Sequence, residues 1–289
     1  MTAKVINGSA VAKQVREEWR KRVDALKAQG LRPGLAVVMV GDNPASKVYV
    51  RNKFKACNEV GLHSELHTFP VDAAQESIIS RIQELDRNPA IHGILVQLPL
   101  PPRFETRKIL AAVPVEKDVD GFHLYNVGGL VVGENNIFPP CTPYGVQRLL
   151  EYEGIPIEGQ NVVVVGASNI VGKPMALMLM AKDATVSICH IKTRALSQYT
   201  ILADILIVAA GCPGLITAPM VKSGAVVIDV GINRLVDGRL VGDVDFERVR
   251  AKASYITPVP GGVGPMTVTM LICNTIAAAE RLFSKNAEL

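Results

Sequence analysis

Apolar runs alternate with amphipathic stretches along almost the whole chain, and this alternation does most to limit the fold. Residues 35–40 (LAVVMV), 62–69 and 91–97 read as strands. Val11, Val15, Trp19, Val23 and Leu26 recur at helical spacing, from near Ser9 to Gly30. A second helix covers about 45–60, and Ile78, Ile79, Ile82 and Leu85 line a third that Pro89 stops. The second half repeats the pattern. Strands are expected at 162–165, 185–189, 205–208, 226–230 and 254–256, and helices around 143–152, 171–181 and 245–251, with a last helix at 268–283. A strand apolar on both sides is buried on both sides, and helices between successive strands supply the cover, so the expected class is α/β with parallel sheets. Residues 114–142 break the rhythm with Pro114, Gly121, Gly128, Gly129, Gly133, Pro139 and Pro140, and read as a linker or cleft segment.

Bulk properties exclude several function classes. A length of 289 residues suits one large domain or two ordinary ones, and 48% hydrophobic residues build a core easily. The net charge of +4 comes from 31 basic and 27 acidic residues that are interspersed, not gathered into the basic stripe that tracks nucleic-acid phosphates. Cys57, Cys141, Cys189, Cys212 and Cys273 are widely spaced, with no C-x-x-C pair, which fits reduced, small buried side chains in the cytoplasm. The N-terminal residues lack a signal-peptide pattern, and the apolar stretch 201–216 is too short and too broken by Asp204, Gly211 and Pro213 to span a bilayer.

Several short segments could carry chemistry. Pro260-Gly261-Gly262-Val263-Gly264-Pro265-Met266-Thr267 holds three glycines and two prolines, which reads as a stiff loop walling a ligand site or as a tight connection. Gly166-Ala167-Ser168-Asn169-Ile170-Val171-Gly172 follows a four-valine strand and opens a helix, the context of a dinucleotide fingerprint. Its spacing departs from G-x-G-x-x-G, and an ordinary strand-to-helix turn is the alternative. The next strand ends in His190-Ile191-Lys192-Thr193, without the acid that selects an NAD ribose, so NADP is favoured over NAD. Tyr49 and Lys53 share one helix face, where a partly desolvated lysine can exchange protons near neutrality; a solvated lysine is the alternative. Y-x-x-x-K is also the short-chain dehydrogenase pair, but there it follows the nucleotide fingerprint, whereas here it precedes it. Gln97 ends a strand, where ligands of open α/β sheets gather. Asp118 and Asp120 flank Val119; a carboxylate there can bind an aminopyrimidine edge, and two acids without a third ligand make a poor metal site.

Taken together, these segments resemble the bifunctional methylenetetrahydrofolate dehydrogenase/methenyltetrahydrofolate cyclohydrolase family over almost the whole chain. The matching motifs are 76–100, ending in ILVQLPL; Tyr49-x-x-x-Lys53; Asp118-Val-Asp120-Gly121; Pro140-Cys141-Thr142-Pro143; Gly166-x-Ser168-x-x-Val171-Gly172; and 260–268. The resemblance implies two α/β domains with the active site in the cleft between them. A folate-binding catalytic domain would take 1–139 plus 268–289, completed by the C-terminal helix, and a Rossmann-type NAD(P)-binding domain would take 140–267. It also implies a cytoplasmic homodimer in one-carbon metabolism, with NADP, or else NAD, as cofactor and no metal.

By the same resemblance, Lys53 would be the general acid/base, Gln97 would tune it, Tyr49 would stack on the folate and Asp120 would hold the pterin. Leu98, Pro99, Pro260, Gly261, Gly262 and Pro265 would line the substrate site. Gly166, Ala167, Ser168, Thr142, His190, Ile191, Lys192 and Ile232 would hold the nucleotide. Relatives with Arg at Ala167 and a polar residue at Ile191 bind a 2′-phosphate through them; here Lys192, His190 and Arg194 would stand in. The exchange of polar residues in Leu85-Asp86-Arg87-Asn88 falls at a helix end. The other readings are a monofunctional dehydrogenase of the same fold, disfavoured by the Tyr49/Lys53/Gln97 set, and a nucleotide sensor without turnover, which has no use for that set. Val186, Ile188 and Leu202 suit a core or a dimer interface equally, and Lys55 could meet a polyglutamate tail.

Overall fold

The computed structural model describes residues 2–134 and 138–287. In chain order its elements are β1 (Lys4–Val5), α1 (Gly8–Ala28), β2 (Gly34–Val40), α2 (Pro44–Val60), β3 (His63–Phe69), α3 (Gln75–Arg87), β4 (Gly93–Val96), α4 (Thr106–Ala111), α5 (Leu124–Val132) and α6 (Cys141–Tyr152). There follow β5 (Asn161–Val165), α7 (Gly172–Met180), β6 (Thr185–Cys189), α8 (Ser197–Thr200), β7 (Ile205–Val208), β8 (Val226–Asp229), β9 (Asn233–Arg234), β10 (Leu240–Val241), α9 (Phe246–Arg250), β11 (Tyr255–Ile256) and α10 (Val263–Ala287). They form two compact units: Gln14–Cys141 with Val268–Leu289, and Met1–Lys13 with Thr142–Thr267.

The first unit is built on a three-stranded parallel sheet in the order β3-β2-β4. Central β2 is buried along its whole length, as its run of doubly apolar residues requires. Ala36, Val38 and Val40 meet Ile78, Ile82 and Leu85 of α3 and Ile109 of α4 in one core. From α10, Met270, Leu271, Ile272, Cys273 and Ile276 are buried. The stretch Val263–Ser284 is long and apolar enough to cross a membrane by composition, but 67% of it is buried in the fold. Gly93 of β4 marks a close approach: a Cβ there would lie 2.8 Å from Val119 and 3.1 Å from Thr275 Oγ1.

The second unit carries a six-stranded sheet in the order β1-β11-β8-β7-β5-β6, parallel at every pairing. Its first long strand, β5, has β6 on one side and β7 on the other, so the winding reverses at β5. Val163, Val165, Leu206, Val208 and Val227 fill the core with Val244, Val249 and Ile256.

Two expectations are corrected, and the two compact units divide the chain differently from the expected domain bounds. Residues 1–13 and 142–267 form one unit, whereas the N-terminal residues were expected with the first half, and Cys141 joins the first unit. The cause is β1, which pairs with β11 through Lys4↔Tyr255 and Val5↔Ile256. The segment 260–267 is not loop throughout, because α10 begins at Val263. Pro265 falls in its first turn, where an amide hydrogen has no helical acceptor and proline costs little. Residues 114–142, expected to be irregular, contain α5 and the start of α6. Helix α5 tolerates Gly128-Gly129 because its ends are fixed. His123 Nδ1 accepts from Tyr125 N (3.1 Å), and Gly133 at φ +76° ends it in the left-handed conformation. Residues 135–137 of this segment lie outside the described residues.

Candidate active site

In the first unit, α2 presents Tyr49 and Lys53 one turn apart. Lys53 is buried, and its Nζ donates to Gln97 Oε1 at 2.9 Å. Gln97 stands just past β4. Its backbone N–H donates to Val38 O (2.8 Å) and its Nε2 to Leu98 O (2.7 Å), which leaves Oε1 aimed at the lysine. Leu98 and Pro99 follow through a cis peptide bond. Burial holds the Lys53 ammonium below the usual lysine range, against the pull of the Asp120 carboxylate. Asp120 is a half-buried residue whose carboxyl is pushed up to about 6 by desolvation, with Lys53 opposing and Asp118 adding to the shift. Tyr49 is 38% exposed.

The two acids flanking Val119 have separate jobs. Asp118 is buried and accepts from Phe122 N (3.3 Å), His123 N (2.7 Å) and Asn126 Nδ2 (2.7 Å), so it fixes the approach to α5. Only Asp120 acts on the lysine. Gly121 has φ +75°, and a Cβ there would lie 2.5 Å from Phe138 O, so the turn after Asp120 admits only glycine. Cys141 Sγ donates to Val119 O (3.3 Å), and burial pushes its thiol well above the usual range. Four of the five cysteines are buried; Cys212 is exposed.

In the second unit, Gly166 leaves β5 at φ +124°, and a Cβ there would stand 2.2 Å from Ala209 O. Gly172 opens α7 so close to Gly166 O that a Cβ would lie 1.9 Å from it. Ser168 Oγ accepts from Val171 N (3.1 Å) and Gly172 N (3.4 Å), so its hydroxyl caps the helix. After β6, His190 N donates to Thr193 Oγ1 (2.8 Å) and Lys192 N to His190 Nδ1 (3.1 Å). This turn holds His190, Ile191, Lys192 and Arg194 in the open, Ile191 being 98% exposed. Thr142 Oγ1 lies 3.0 Å from Thr267 Oγ1, and Ile232 is exposed beyond β8. Pro260, Gly261, Gly262 and Pro265 group with this unit. Gly261 O accepts from Ser9 N (3.0 Å), and a Cβ on Gly8 would lie 1.9 Å from Gly262 O.

The described residues thus bring Tyr49, Lys53, Gln97, Leu98, Pro99 and Asp120 into one unit and the nucleotide candidates into the other. The profile of the tetrahydrofolate dehydrogenase/cyclohydrolase catalytic domain matches residues 6–120, and that of the same family's NAD(P)-binding domain matches 140–283. The chain is 65% identical over 285 residues to the bifunctional protein FolD of Nitrosospira multiformis, covering 99% of both. This chain belongs to the tetrahydrofolate dehydrogenase/cyclohydrolase family. Its fold superposes on the bifunctional FolD enzyme of Campylobacter jejuni with a TM-score of 0.95 at 50% identity, over 96% of this chain and 99% of that one. The Trypanosoma brucei FolD enzyme, solved with NADP and an inhibitor, gives 0.95 at 40% identity, over 98% and 99%.

Two supports of this family fold went unread in the sequence. Lys117, beside Asp118, donates Nζ to Leu85 O (3.4 Å), Asp86 O (2.5 Å) and Asn88 O (3.3 Å), closing the end of α3. Asn274 of α10 donates Nδ2 to Val119 O (2.9 Å) and Pro139 O (3.1 Å), which pins the backbone next to Asp120. A polar Asn274-Thr275 pair within the apolar run of α10 was the available signal for the second.

The site makes a pH prediction. The folded pKa of Asp120, about 6, lies above its ordinary 3.8. The acid therefore contributes stability that is complete below about pH 4 and is lost as the pH rises through 6. Ligand binding runs the other way if the ionised form is the acceptor. KM for the folate should climb as the pH falls below 6, and Asp120→Asn should flatten that limb; a wild-type KM that stays level from pH 7.5 to 5 would refute the assignment.

Proposed function

We infer that this chain oxidises 5,10-methylenetetrahydrofolate to the 5,10-methenyl form with NADP⁺ and hydrolyses the methenyl form to 10-formyltetrahydrofolate, in one-carbon metabolism. The observation that carries the reading is buried Lys53 bonded to half-buried Gln97, set in the fold of a family whose model and solved relatives name both activities.

The hydrolysis follows from the lysine's surroundings. Water attacks the carbon that bridges N5 and N10 in the methenyl cation. Neutral Lys53, favoured by its desolvation, takes the proton lost by that water. The ammonium so formed delivers that proton to N5. The C–N5 bond then breaks as the hydroxyl oxygen closes to the formyl C=O and releases its own proton to solvent. This leaves the lysine neutral again and gives up the one proton that hydrolysis of a cation must release. Gln97 Oε1 accepts one Nζ hydrogen and thereby fixes where the lone pair points. Asp120 accepts from the N–H groups of the aminopyrimidine edge, and Tyr49 stacks on the folate. In the oxidation, the charged Lys53 orients the substrate while the methylene carbon loses a hydride.

The second unit fits the nucleotide. The bare glycine turn at 166 leaves room where any Cβ would collide, it lies where the winding reverses, and the exposed 190–194 turn carries cationic side chains for a 2′-phosphate. Bound there, NADP⁺ supplies the hydride acceptor. Gly166, Ala167 and Ser168 would hold the phosphates and ribose, with Ile191 and Ile232 against the ring ends. The chain works as a cytoplasmic homodimer in this reading. Support comes from β6, which ends the sheet with Ile188 exposed, and from the nearby exposed Ile201 and Leu202.

The deciding assay follows absorbance with 5,10-methylenetetrahydrofolate and either NADP⁺ or NAD⁺, then tracks decay of the methenyl product. Reduction that favours NADP⁺, followed by decay, is expected. Oxidation with a stable methenyl product would leave a dehydrogenase alone.

A further inference from the structure

The wall beside the Gly166 turn is shaped by a residue far along the chain. Asp243 is fully buried, and its carboxylate collects four donors. Oδ2 accepts from Ala210 N (2.7 Å) and Gly211 N (2.8 Å); Oδ1 accepts from Cys212 N (2.9 Å) and Asn233 Nδ2 (2.8 Å). Three successive amides turned onto one carboxylate leave the 210–212 backbone a single conformation. Asp229, at the end of β8, holds Asp243 in turn. It accepts from Gly231 N (3.0 Å), Asp243 N (3.0 Å) and Val244 N (2.9 Å). Neither carboxylate has room to spare: a Cβ on Gly231 would lie 2.2 Å from Asp243 Cγ, and one on Gly242 would lie 1.9 Å from Asp229 Oδ2.

The braced segment lies on the crevice itself. It follows β7, whose neighbour β5 runs into the Gly166 turn, and Ala209 O is the atom a Cβ on Gly166 would strike. The sheet winds away from β5 in both directions, so the gap between the carboxyl ends of β5 and β7 is where a doubly wound fold receives its ligand. A wall set before binding spares the nucleotide the entropy cost of ordering it.

We propose that Asp243, held by Asp229, is the positioning residue that presets the 209–212 wall of the nucleotide crevice. This rests on the reading of that unit as the NADP-binding half. Asp243→Asn keeps the shape but turns an amide against donors. In the full chain, calorimetric titration should show the Kd for NADP⁺ rising about tenfold, the scale expected when hydrogen bonds to a buried charge are lost. Hydrogen exchange of the 210–212 amides in the nucleotide-free protein should quicken, while exchange in β2 and cyclohydrolase turnover without nucleotide hold steady. Unchanged affinity with unchanged exchange at 210–212 overturns the proposal, as does a parallel loss across both units. Should Asp243→Asn not fold, Asn233→Ala removes one donor from Oδ1 and should weaken NADP⁺ about two- to threefold; an unchanged Kd in that variant also overturns it. Wild-type protein that binds no NADP⁺ would bring down the functional reading along with the proposal.

Discussion

Lys53→Met should cost the cyclohydrolase about 10²- to 10⁴-fold in turnover, the range a positioned acid/base supplies, and leave the fold standing. Methionine nearly matches the lysine stem in length and is at ease among buried atoms. Lys53 itself sits where desolvation outweighs the attraction of Asp120, so the fold resists its charge and does not depend on it. The melting temperature should therefore stay close to wild type. A second effect follows from the pairing. Lys53 is the group that holds the Asp120 carboxyl down, so its removal should raise that pKa beyond about 6 and move the acid limb of the folate KM upward. Methenyltetrahydrofolate decay, followed without nucleotide, reads the first effect, and a KM–pH profile reads the second. Undiminished hydrolysis in the variant would strip Lys53 of its role.

Gly166→Ala should remove dehydrogenase activity, by about 100-fold or more, while hydrolysis of the methenyl substrate without nucleotide persists. The new methyl group would have to sit 2.2 Å from Ala209 O, at a φ of +124° that an L side chain rarely adopts. Both obstacles are backbone, at the ends of β5 and β7, and parallel strands locked by their ladder cannot part locally. Strain of about 1–3 kcal/mol and a similar cost of overpacking should lower the melting point of this unit and misshape its crevice. Titration with NADP⁺ beside a melting curve separates lost affinity from lost structure. A variant with wild-type NADP⁺ affinity would show that the turn at 166 does not hold the nucleotide.

Much of the fold is legible in local pattern. The expected spans at 185–189 and 205–208 coincide with β6 and β7, and α2, α3 and α7 fall within a few residues of their expected bounds. Periods of two and near four report which faces are buried, and burial dominates the stability of a long regular element. Where glycine and proline are dense, the pattern loses its hold. Helices α4 and α5 were missed because both are short, and α5 carries Gly128-Gly129 and owes its start to bonds from Asp118 to His123 N and Asn126 Nδ2 that no periodicity shows. The start of α10 was placed five residues late, since Pro265 and Gly264 suggest a loop until their first-turn position is known. The strand Lys4–Val5 was not expected at all, because two residues carry almost no pattern and only their pairing with β11 makes them a strand.

The candidate site divides the same way. That Tyr49 and Lys53 share a face, that Gln97 stands at a strand end and that a glycine turn opens α7 follow from spacing alone, because each depends on neighbours in the chain. The sequence by itself determined those placements and the α/β class. Tertiary structure decided which charges work. Asp118 and Asp120 differ by one intervening valine, yet one braces a loop and the other faces the lysine. Asn274, Asp229 and Asp243 hold backbone that is well separated from them in sequence. A buried carboxylate or amide takes its function from whichever unpaired groups the fold brings within hydrogen-bond reach, and no local period encodes that list.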